Sequence, residues 1–273
     1  SHLVALNITA SPIGNAKSYF GSVRKEVVMA VPRTHVRSVV GGIGGIKAGA
    51  NYARTILAIR LSESLGLPVV GYLDHVLKNG DTGATAEFRE TNASNLFALE
   101  DLGEGRWKFI TPPLDRRDIL GGRTRALLLK VAEELGWEVE EGPLSLEDVR
   151  NKKYKYMGAC GTAAYITPIH GIQEIEIGAH EELETMEPLS AEALEGMTSE
   201  ERQQAENARL EQMARKVGEE VKFQDKKLEG EELFPEPFKQ MMAIMEAVKR
   251  GERMDDSRYK GLVTKFMLPP LAV

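Results

Sequence analysis

Hydrophobic positions along the chain recur with two different spacings, and each spacing predicts its own type of element. Apolar residues that return every three or four positions, together with capping residues, predict helices at 53–65, 124–135, 144–149 and 238–248. Runs rich in Val, Ile, Tyr and Met predict strands at 4–9, 26–31, 69–73, 156–160 and 164–167, with extended segments at 87–89 and 95–99. The mixture of both types predicts a mixed α/β (α+β) fold.

The composition changes after Gly178. Residues 179–232 are acidic, rich in Glu, Gln and Ala, and poor in aromatic residues. The run Thr198-Ser199-Glu200-Glu201 has the form of a capping box and predicts a long polar helix that ends near Val221. We therefore predict one domain over 1–273 with a solvated helical insertion at about 179–232. An arm that binds a partner is the alternative interpretation of this segment.

Length, charge and cysteine content exclude several classes of protein. The chain has 273 residues, of which 42% are hydrophobic and 28% charged, so it is long enough and apolar enough to bury a large core. A net charge of -6 argues against nucleic acid or an anionic membrane as the main partner. One cysteine and the lack of a spanning apolar run or signal peptide indicate the cytoplasm, with the mitochondrion as an alternative. We expect no metal site.

A glycine-dense loop carries the lysine of greatest chemical interest. The sequence is Gly41-Gly42-Ile43-Gly44-Gly45-Ile46-Lys47-Ala48-Gly49-Ala50-Asn51-Tyr52. Glycines allow the backbone to approach a ligand closely, and a lysine amine can form a Schiff base with an aldehyde. The apolar neighbours predict a desolvated lysine, although most lysines in proteins are solvated surface charges.

Two later segments offer an acid and a threonine. In Arg89-Glu90-Thr91-Asn92-Ala93-Ser94-Asn95-Leu96-Phe97, Glu90 is either a functional carboxylate or an ordinary surface residue where a strand begins, and Glu87 is a competing candidate. In Ala159-Cys160-Gly161-Thr162-Ala163-Ala164, we interpret Cys160 as a packed small residue and not a nucleophile. His170 is expected on a loop at the surface.

A third segment has the composition of an anion site. Ile119-Leu120-Gly121-Gly122-Arg123-Thr124-Arg125 opens the helix predicted from 124. Backbone amides at the start of a helix bind phosphate, although two glycines before a helix are a weak signal alone. Arg123 either adds a charged contact or points to solvent.

These segments, in their order along the chain, resemble the class IV (fold type IV) aminotransferases, the pyridoxal-phosphate enzymes that include the branched-chain amino-acid aminotransferases. The resemblance implies that Lys47 holds the cofactor as a Schiff base and moves the proton of the substrate's α-carbon. It implies that Tyr52 bonds the ring oxygen and Glu90 the protonated ring nitrogen. It also implies that the segment with Arg123 and Thr124 and the hydroxyl of Thr162 hold the phosphate, and that Thr162 and Ala163 bind the substrate carboxylate. Gly121 and Arg123 depart from the family's usual proline and aliphatic residue. Arg37 also matches, without an assigned role.

By this resemblance, the chain is expected to be the cofactor-binding large domain of such an enzyme, without the small domain that precedes the lysine in the family. The expected reaction is transamination between a branched-chain or similarly apolar amino acid and a 2-oxo acid. A homodimer, or a partner chain that supplies the small domain, is expected. The alternatives are another pyridoxal-phosphate chemistry on the same fold, such as a lyase, and a non-catalytic scaffold derived from an aminotransferase.

Overall fold

The computed structural model describes residues 26–78, 80–162, 164–178, 190, 195–250, 252 and 259. Its strands are β1 (Val28–Pro32), β2 (Val69–Leu73), β3 (Phe88–Thr91), β4 (Asn95–Gly103), β5 (Arg106–Thr111), β6 (Glu138–Glu141), β7 (Tyr156–Gly161), β8 (Tyr165–Ile169), β9 (Gly171–Ile177) and β10 (Ala214–Lys222). Its helices are α1 (Gly49–Ala53), α2 (Ile56–Ser64), α3 (Arg123–Glu134), α4 (Leu146–Arg150), α5 (Ser199–Glu211) and α6 (Glu236–Lys249), with one turn of 3-10 helix at Gly230–Leu233.

Within these residues the strands form one ten-stranded mixed sheet. Its main path runs β10-β9-β1-β2-β3-β4-β5-β6, and β7 pairs with both β4 and β8. The pairs β1–β2, β1–β9 and β5–β6 are parallel, whereas the other pairs are antiparallel. The mixed α/β class predicted from the two spacings is therefore confirmed.

Apolar side chains from the sheet and the helices form three buried clusters. One contains Val70 and Tyr72 of β2, Ala58 and Leu61 of α2, and Leu210 of α5. A second contains Phe97 and Phe109 with residues of α3 and α6, and the Met241 and Met245 side chains of α6 belong to it, as their helical spacing predicts. A third lies among β1, β2, β3 and α4. The helices are thus fixed to the sheet by the apolar faces seen in the sequence.

Most predicted elements are present with shifts of a few residues at their ends. The helix predicted at 124–135 runs from Arg123 to Glu134, and the one predicted at 238–248 from Glu236 to Lys249. The predicted cap of α4 is also present, because the Ser145 hydroxyl accepts a hydrogen bond from the Asp148 amide. The helix predicted at 53–65 begins later, as α2 at Ile56, and the separate short helix α1 ends at Ala53. The strand predicted at 4–9 lies outside the described residues.

The long helix predicted after residue 198 is wrong in its second half. The capping box forms, since the Thr198 hydroxyl accepts from the Glu201 amide and the Glu201 carboxylate accepts from the Thr198 amide. However, the helix ends at Glu211, and Ala214–Lys222 is a strand that pairs antiparallel with β9. Gly218, with a positive φ of 67°, interrupts the helical pattern and lies at the irregularity of β10. The helices among the described residues are too short or too polar to cross a membrane.

Candidate functional site

Glu90 reaches the α1–α2 side of the sheet because of a β-bulge. Leu73 pairs with Phe88, whereas the preceding residue, Tyr72, pairs with Glu90, so the register shifts by one residue at Arg89. Directly paired residues share a face of the sheet, and neighbours on a strand point to opposite faces. Glu90 therefore lies beside Tyr72, on the face opposite Phe88. The prediction that Glu90 follows an extended segment is confirmed, and its interpretation as an exposed surface residue is excluded by an accessibility of 3%.

Burial and charge act on Glu90 in opposite directions. Burial raises the pKa of the Glu90 carboxyl to about 7, although the Arg37 guanidinium and the Leu120 amide lower it, and Asp118 raises it further. Arg37 donates a hydrogen bond to Glu90 Oε1, and its guanidinium also lies over the ring of Tyr52, 5.7 Å from the centroid. Arg37 thus connects Tyr52 and Glu90, the residues expected to contact the ring oxygen and ring nitrogen of a cofactor.

Two buried polar atoms beside Glu90 lack a hydrogen-bond partner among the described residues. They are Nε of Arg37 and the hydroxyl of Tyr72. A buried polar atom without a partner is costly, so such a pair indicates a place where a polar ligand or water completes the site. The donors and the carboxylate fit a heteroaromatic ring that carries one basic nitrogen.

Lys47 is exposed, and it ends a loop that is held by Asn51. We call residues 37–48 the lysine loop. The Asn51 side chain, which is 4% exposed, donates from Nδ2 to the carbonyls of Ile43 at 2.9 Å and Ile46 at 2.8 Å. The desolvated surroundings predicted for Lys47 are absent, because the side chains of Ile43 and Ile46 are themselves 45% and 64% exposed. Ile43 and Ile46 therefore do not form an apolar cage around the amine.

The lysine loop packs directly on the loop of residues 113–122. The Gly45 amide donates to the Arg117 carbonyl at 2.8 Å, and a Cβ at Gly44 would lie 1.9 Å from the Asp118 carbonyl oxygen. Only glycine fits at 44, so this part of the glycine pattern is required by contact with the protein itself. An open cleft of about 460 Å³ lies between the two loops, within the size range of ligand sites.

The beginning of α3, where the anion site is predicted, is held in place by β4. Asn95 at the start of β4 donates from Nδ2 to the Leu120 carbonyl at 2.7 Å. A Cβ at Gly122, the N-cap of α3, would lie 2.1 Å from Asn95 Oδ1, so the glycine allows this close approach. Thr124 is buried and Arg123 is exposed. The amide of Leu120, shortly before the start of α3, faces the Glu90 carboxylate. The positive end of the α3 dipole and its first amides therefore lie near Glu90.

Thr162 directly follows the end of β7, on the same side of the β4–β7 pair as Asn95. Asn95 pairs with Cys160 across β4 and β7, and Gly161 approaches the Ser94 side chain in the β3–β4 turn. Thr162 follows directly and is exposed, whereas Ala163 lies outside the described residues. The sheet therefore brings the turn before Thr162 to the segment that links Glu90 to Asn95.

The chain is similar to known proteins over part of its length. Residues 75–172 match the family model described as "Amino-transferase class IV". Over this segment, the chain is similar to the class IV aminotransferases. The matched segment includes Glu90, Thr124 and Thr162, while Lys47 and Tyr52 precede it. The resemblance noted in the sequence is thus confirmed for the family.

The similarity to individual relatives covers only part of this chain and part of each relative. A probable branched-chain-amino-acid aminotransferase of Streptomyces coelicolor is 37% identical over 166 residues, which are 59% of this chain and 41% of the relative. The branched-chain-amino-acid aminotransferase of Haemophilus influenzae is 36% identical over 138 residues, which are 50% and 37% of the two chains. The structure of the branched-chain amino acid aminotransferase from Escherichia coli is 30% identical with a TM-score of 0.43, covering 54% of this chain and 44% of that one. The chain thus spans about two fifths of the length of these relatives.

Two residues near Thr162, namely Cys160 and His170, are buried. Cys160 is 2% exposed, and burial raises the pKa of its thiol to about 12, which confirms its interpretation as a packed residue. His170, predicted at the surface, is instead 7% exposed. Its Nδ1 accepts from the Val27 amide at 2.9 Å and its Nε2 donates to the Leu233 carbonyl at 2.9 Å, so it joins the start of β1 to the 3-10 turn.

The sequence did not identify the residues that connect these motifs. Arg37 matched the family without a role, while Asn51 was quoted only as part of the glycine loop, and Asp118 was not singled out. Asn51 could have been found by its position between a loop and a helix, where a side-chain amide often satisfies backbone carbonyls. The contacts of Arg37 and Asp118 join segments that are distant in sequence, so no local pattern marks them.

Proposed function

We propose that this chain binds pyridoxal phosphate through Lys47 and transfers an amino group between an amino acid and a 2-oxo acid. The observation that supports this most strongly is the convergence at Glu90. The Arg37 guanidinium and the Leu120 amide both bond the buried Glu90 carboxylate, and the 113–122 loop that carries Leu120 packs on the lysine loop and leads into α3. These are the groups needed for a cofactor with a basic ring nitrogen at one end and a phosphate at the other.

Each protein group has a defined task in this proposal. Bound pyridoxal phosphate would supply an electron sink for the bond broken at the substrate's α-carbon. Lys47 would form the Schiff base and, once released, carry the proton on its Nζ atom. Glu90 would hold a proton shared with the ring nitrogen, which a carboxyl with a pKa raised to about 7 can give or take near neutral pH. Tyr52 would bond the ring oxygen.

The phosphate and the substrate carboxylate would both be held at the turn that contains Thr162. The amides at the start of α3, with Arg123 and Thr124, would hold the phosphate, and the Thr162 hydroxyl would contact it. Thr162 and the amide of Ala163 would bind the substrate carboxylate. A branched-chain or similarly apolar substrate is proposed because relatives of this chain are named for that activity. The finer assignments, namely the large domain of fold type IV, the insertion and the dimer, stay predictions.

Borohydride reduction tests the proposal at Lys47. We expect the chain with pyridoxal phosphate to show the visible absorption of a lysine-bound cofactor and, after reduction, to carry the cofactor on the peptide with Lys47. Lys47→Ala should lose both signals. Lys130→Ala, which removes an exposed lysine of α3, is the matched control and should keep both. Equal labelling in Lys47→Ala would contradict the proposal.

Product analysis then separates the reaction classes. With a branched-chain amino acid, transamination requires a 2-oxo acid acceptor and yields its amino derivative. Turnover without any acceptor would instead indicate a lyase. A normal biological role for Lys47→Ala would indicate a non-catalytic scaffold.

A further inference from the structure

Arg89 and Asp118 form a buried, bidentate ion pair next to the proposed cofactor site. Arg89 donates from Nε to Asp118 Oδ2 at 2.8 Å and from Nη2 to Asp118 Oδ1 at 2.6 Å. The same Nη2 donates to the Pro113 carbonyl at 3.2 Å. Their side chains are only 3% and 2% exposed. A planar, two-bond contact of this type fixes both the distance and the orientation of the segments that carry it.

Asp118 belongs to a loop that contacts the lysine loop and Glu90 and that leads into α3. Its own carbonyl covers Gly44, and the preceding carbonyl, that of Arg117, accepts from the Gly45 amide at 2.8 Å. Two residues later, the Leu120 amide faces Glu90 Oε2 at 3.5 Å. The loop then ends at the first turn of α3. A shift of Asp118 would therefore move the lysine loop, the partner of Glu90 and the anion site together.

The backbone at Arg117 indicates that the loop is held in place by its surroundings. Arg117 has a φ of 55°, a left-handed conformation that is uncommon for residues other than glycine. Such conformations persist when neighbouring contacts impose them. On the solvent side, the guanidinium of the preceding residue, Arg116, forms ion pairs with Asp74 at 3.0 Å and with Glu87 at 2.9 Å. The ion pair between Asp118 and Arg89 connects the loop to the buried part of the protein.

Arg89 is also the residue at which β3 bulges. Its backbone position turns Glu90 to the α1–α2 side, while its side chain holds Asp118. One residue of β3 thus carries the loop's anchor, and the next residue carries the carboxylate expected at the ring nitrogen. Two adjacent residues of β3, Arg89 and Glu90, therefore fix the distance between the Glu90 carboxylate and the 113–122 loop.

We propose that Arg89 and Asp118 are positioning residues that hold the lysine loop and the 113–122 loop in register with Glu90. The pair does not contact the ligand; it acts through Gly44, Gly45 and Leu120. Its consequence for cofactor binding rests on the proposed function, whereas its effect on the two loops does not.

Hydrogen exchange and cofactor affinity test the two parts separately. The variant is Asp118→Asn, which keeps the shape but removes the charge and one of the two acceptors. The matched control is Glu174→Gln, because Glu174 is another mostly buried carboxylate that pairs with two arginines, Arg33 and Arg150, away from these loops. The double variant Arg89→Met with Asp118→Leu removes both charges at similar volume, so it leaves no buried charge unpaired.

In the cofactor-free protein, we expect Asp118→Asn to speed exchange at the Gly45 amide about tenfold, and Glu174→Gln to leave it unchanged. Pyridoxal phosphate should bind Asp118→Asn about tenfold more weakly, a loss comparable to that seen when groups supporting a metal ligand are removed. The double variant should remain folded and show the same faster exchange, which decides the matter if the single variant does not fold.

Equal exchange at Gly45 in the wild type and in the double variant would overturn the proposal. So would the same acceleration in Glu174→Gln, because the effect would then report stability alone. If the wild type binds no cofactor, the proposed function fails, and the exchange comparison still decides whether the pair positions the loops.

Discussion

At the scale of single residues, the site depends on a carboxyl that burial and neighbouring charges affect in opposite directions. Glu90 is 3% exposed and bonded to Arg37, yet burial outweighs that cation and raises its pKa to about 7. The ordinary value is 4.5, so the folded chain binds a proton more tightly than the unfolded chain does. A group of this type stabilises the fold below the unfolded pKa and loses that contribution as the pH rises through the folded pKa.

Glu90→Gln should therefore change how stability depends on pH. Between about pH 4.5 and pH 7, the free energy of unfolding of the cofactor-free wild type should fall relative to that of the variant. The pKa change from 4.5 to about 7 corresponds to roughly 3 kcal/mol. Urea unfolding at pH 5 and pH 8 measures this difference. Glu63→Gln, at an exposed position of α2, controls for the loss of one carboxyl. Parallel pH profiles for the wild type and Glu90→Gln would contradict the prediction.

At the scale of elements, local chemistry predicted where segments begin better than how far they extend. The capping box at Thr198 placed the start of α5 correctly, because it is formed by residues three apart. The strand β10 was missed because Ala214–Lys222 is largely polar, and its pairing with β9 depends on backbone hydrogen bonds to a distant segment. The short charged strand β6 was missed for the same reason.

The candidate site shows the same contrast between local motifs and contacts with distant segments. Glu90, Thr124 and Thr162 were placed by short motifs, and the sheet brings their segments together as those motifs imply. The exposure of Lys47 and the pair of Arg89 with Asp118 depend on contacts between loops, which no spacing along the chain reveals. The family resemblance predicts residues of the site, but it carries no information on the residues that hold the two loops in place.

Thr198→Ala tests the importance of the capping box to α5. The change removes the acceptor of the Glu201 amide, and we expect a loss of about 1 kcal/mol in the free energy of unfolding. Thr198→Ser keeps the hydroxyl and should lose much less. Urea unfolding at neutral pH measures both variants. If Thr198→Ser and Thr198→Ala were equally destabilised, the methyl group and not the cap would be responsible.

At the scale of the whole molecule, described residues between 195 and 250 pack on the main sheet. Leu210 and Met213 belong to the same buried cluster as Ala58, Leu61 and Val70, and β10 extends the sheet beyond β9. The helix α6 contributes to the cluster around Phe97 and α3 on another part of the sheet. Loosening a solvated insertion would leave these clusters intact, whereas loosening an integral segment would disrupt them.

Leu210→Asp distinguishes these two possibilities. Leu210 is 8% exposed, so the variant places an unpaired charge in the cluster shared by α2 and α5, and we expect a loss of roughly 3 kcal/mol in stability. Ala208→Asp puts the same charge on an exposed position of the same helix and should change stability little. The two tryptophans, Trp107 and Trp137, lie in the other cluster, with Phe97 and α6, so their fluorescence reports a region that Leu210 does not touch. If the chain unfolds as one unit, Leu210→Asp lowers the midpoint of the tryptophan transition as much as that of the circular dichroism transition. If α5 and β10 were an appended insertion, the tryptophan transition of Leu210→Asp would coincide with that of the wild type, because only the helix around residue 210 would be lost.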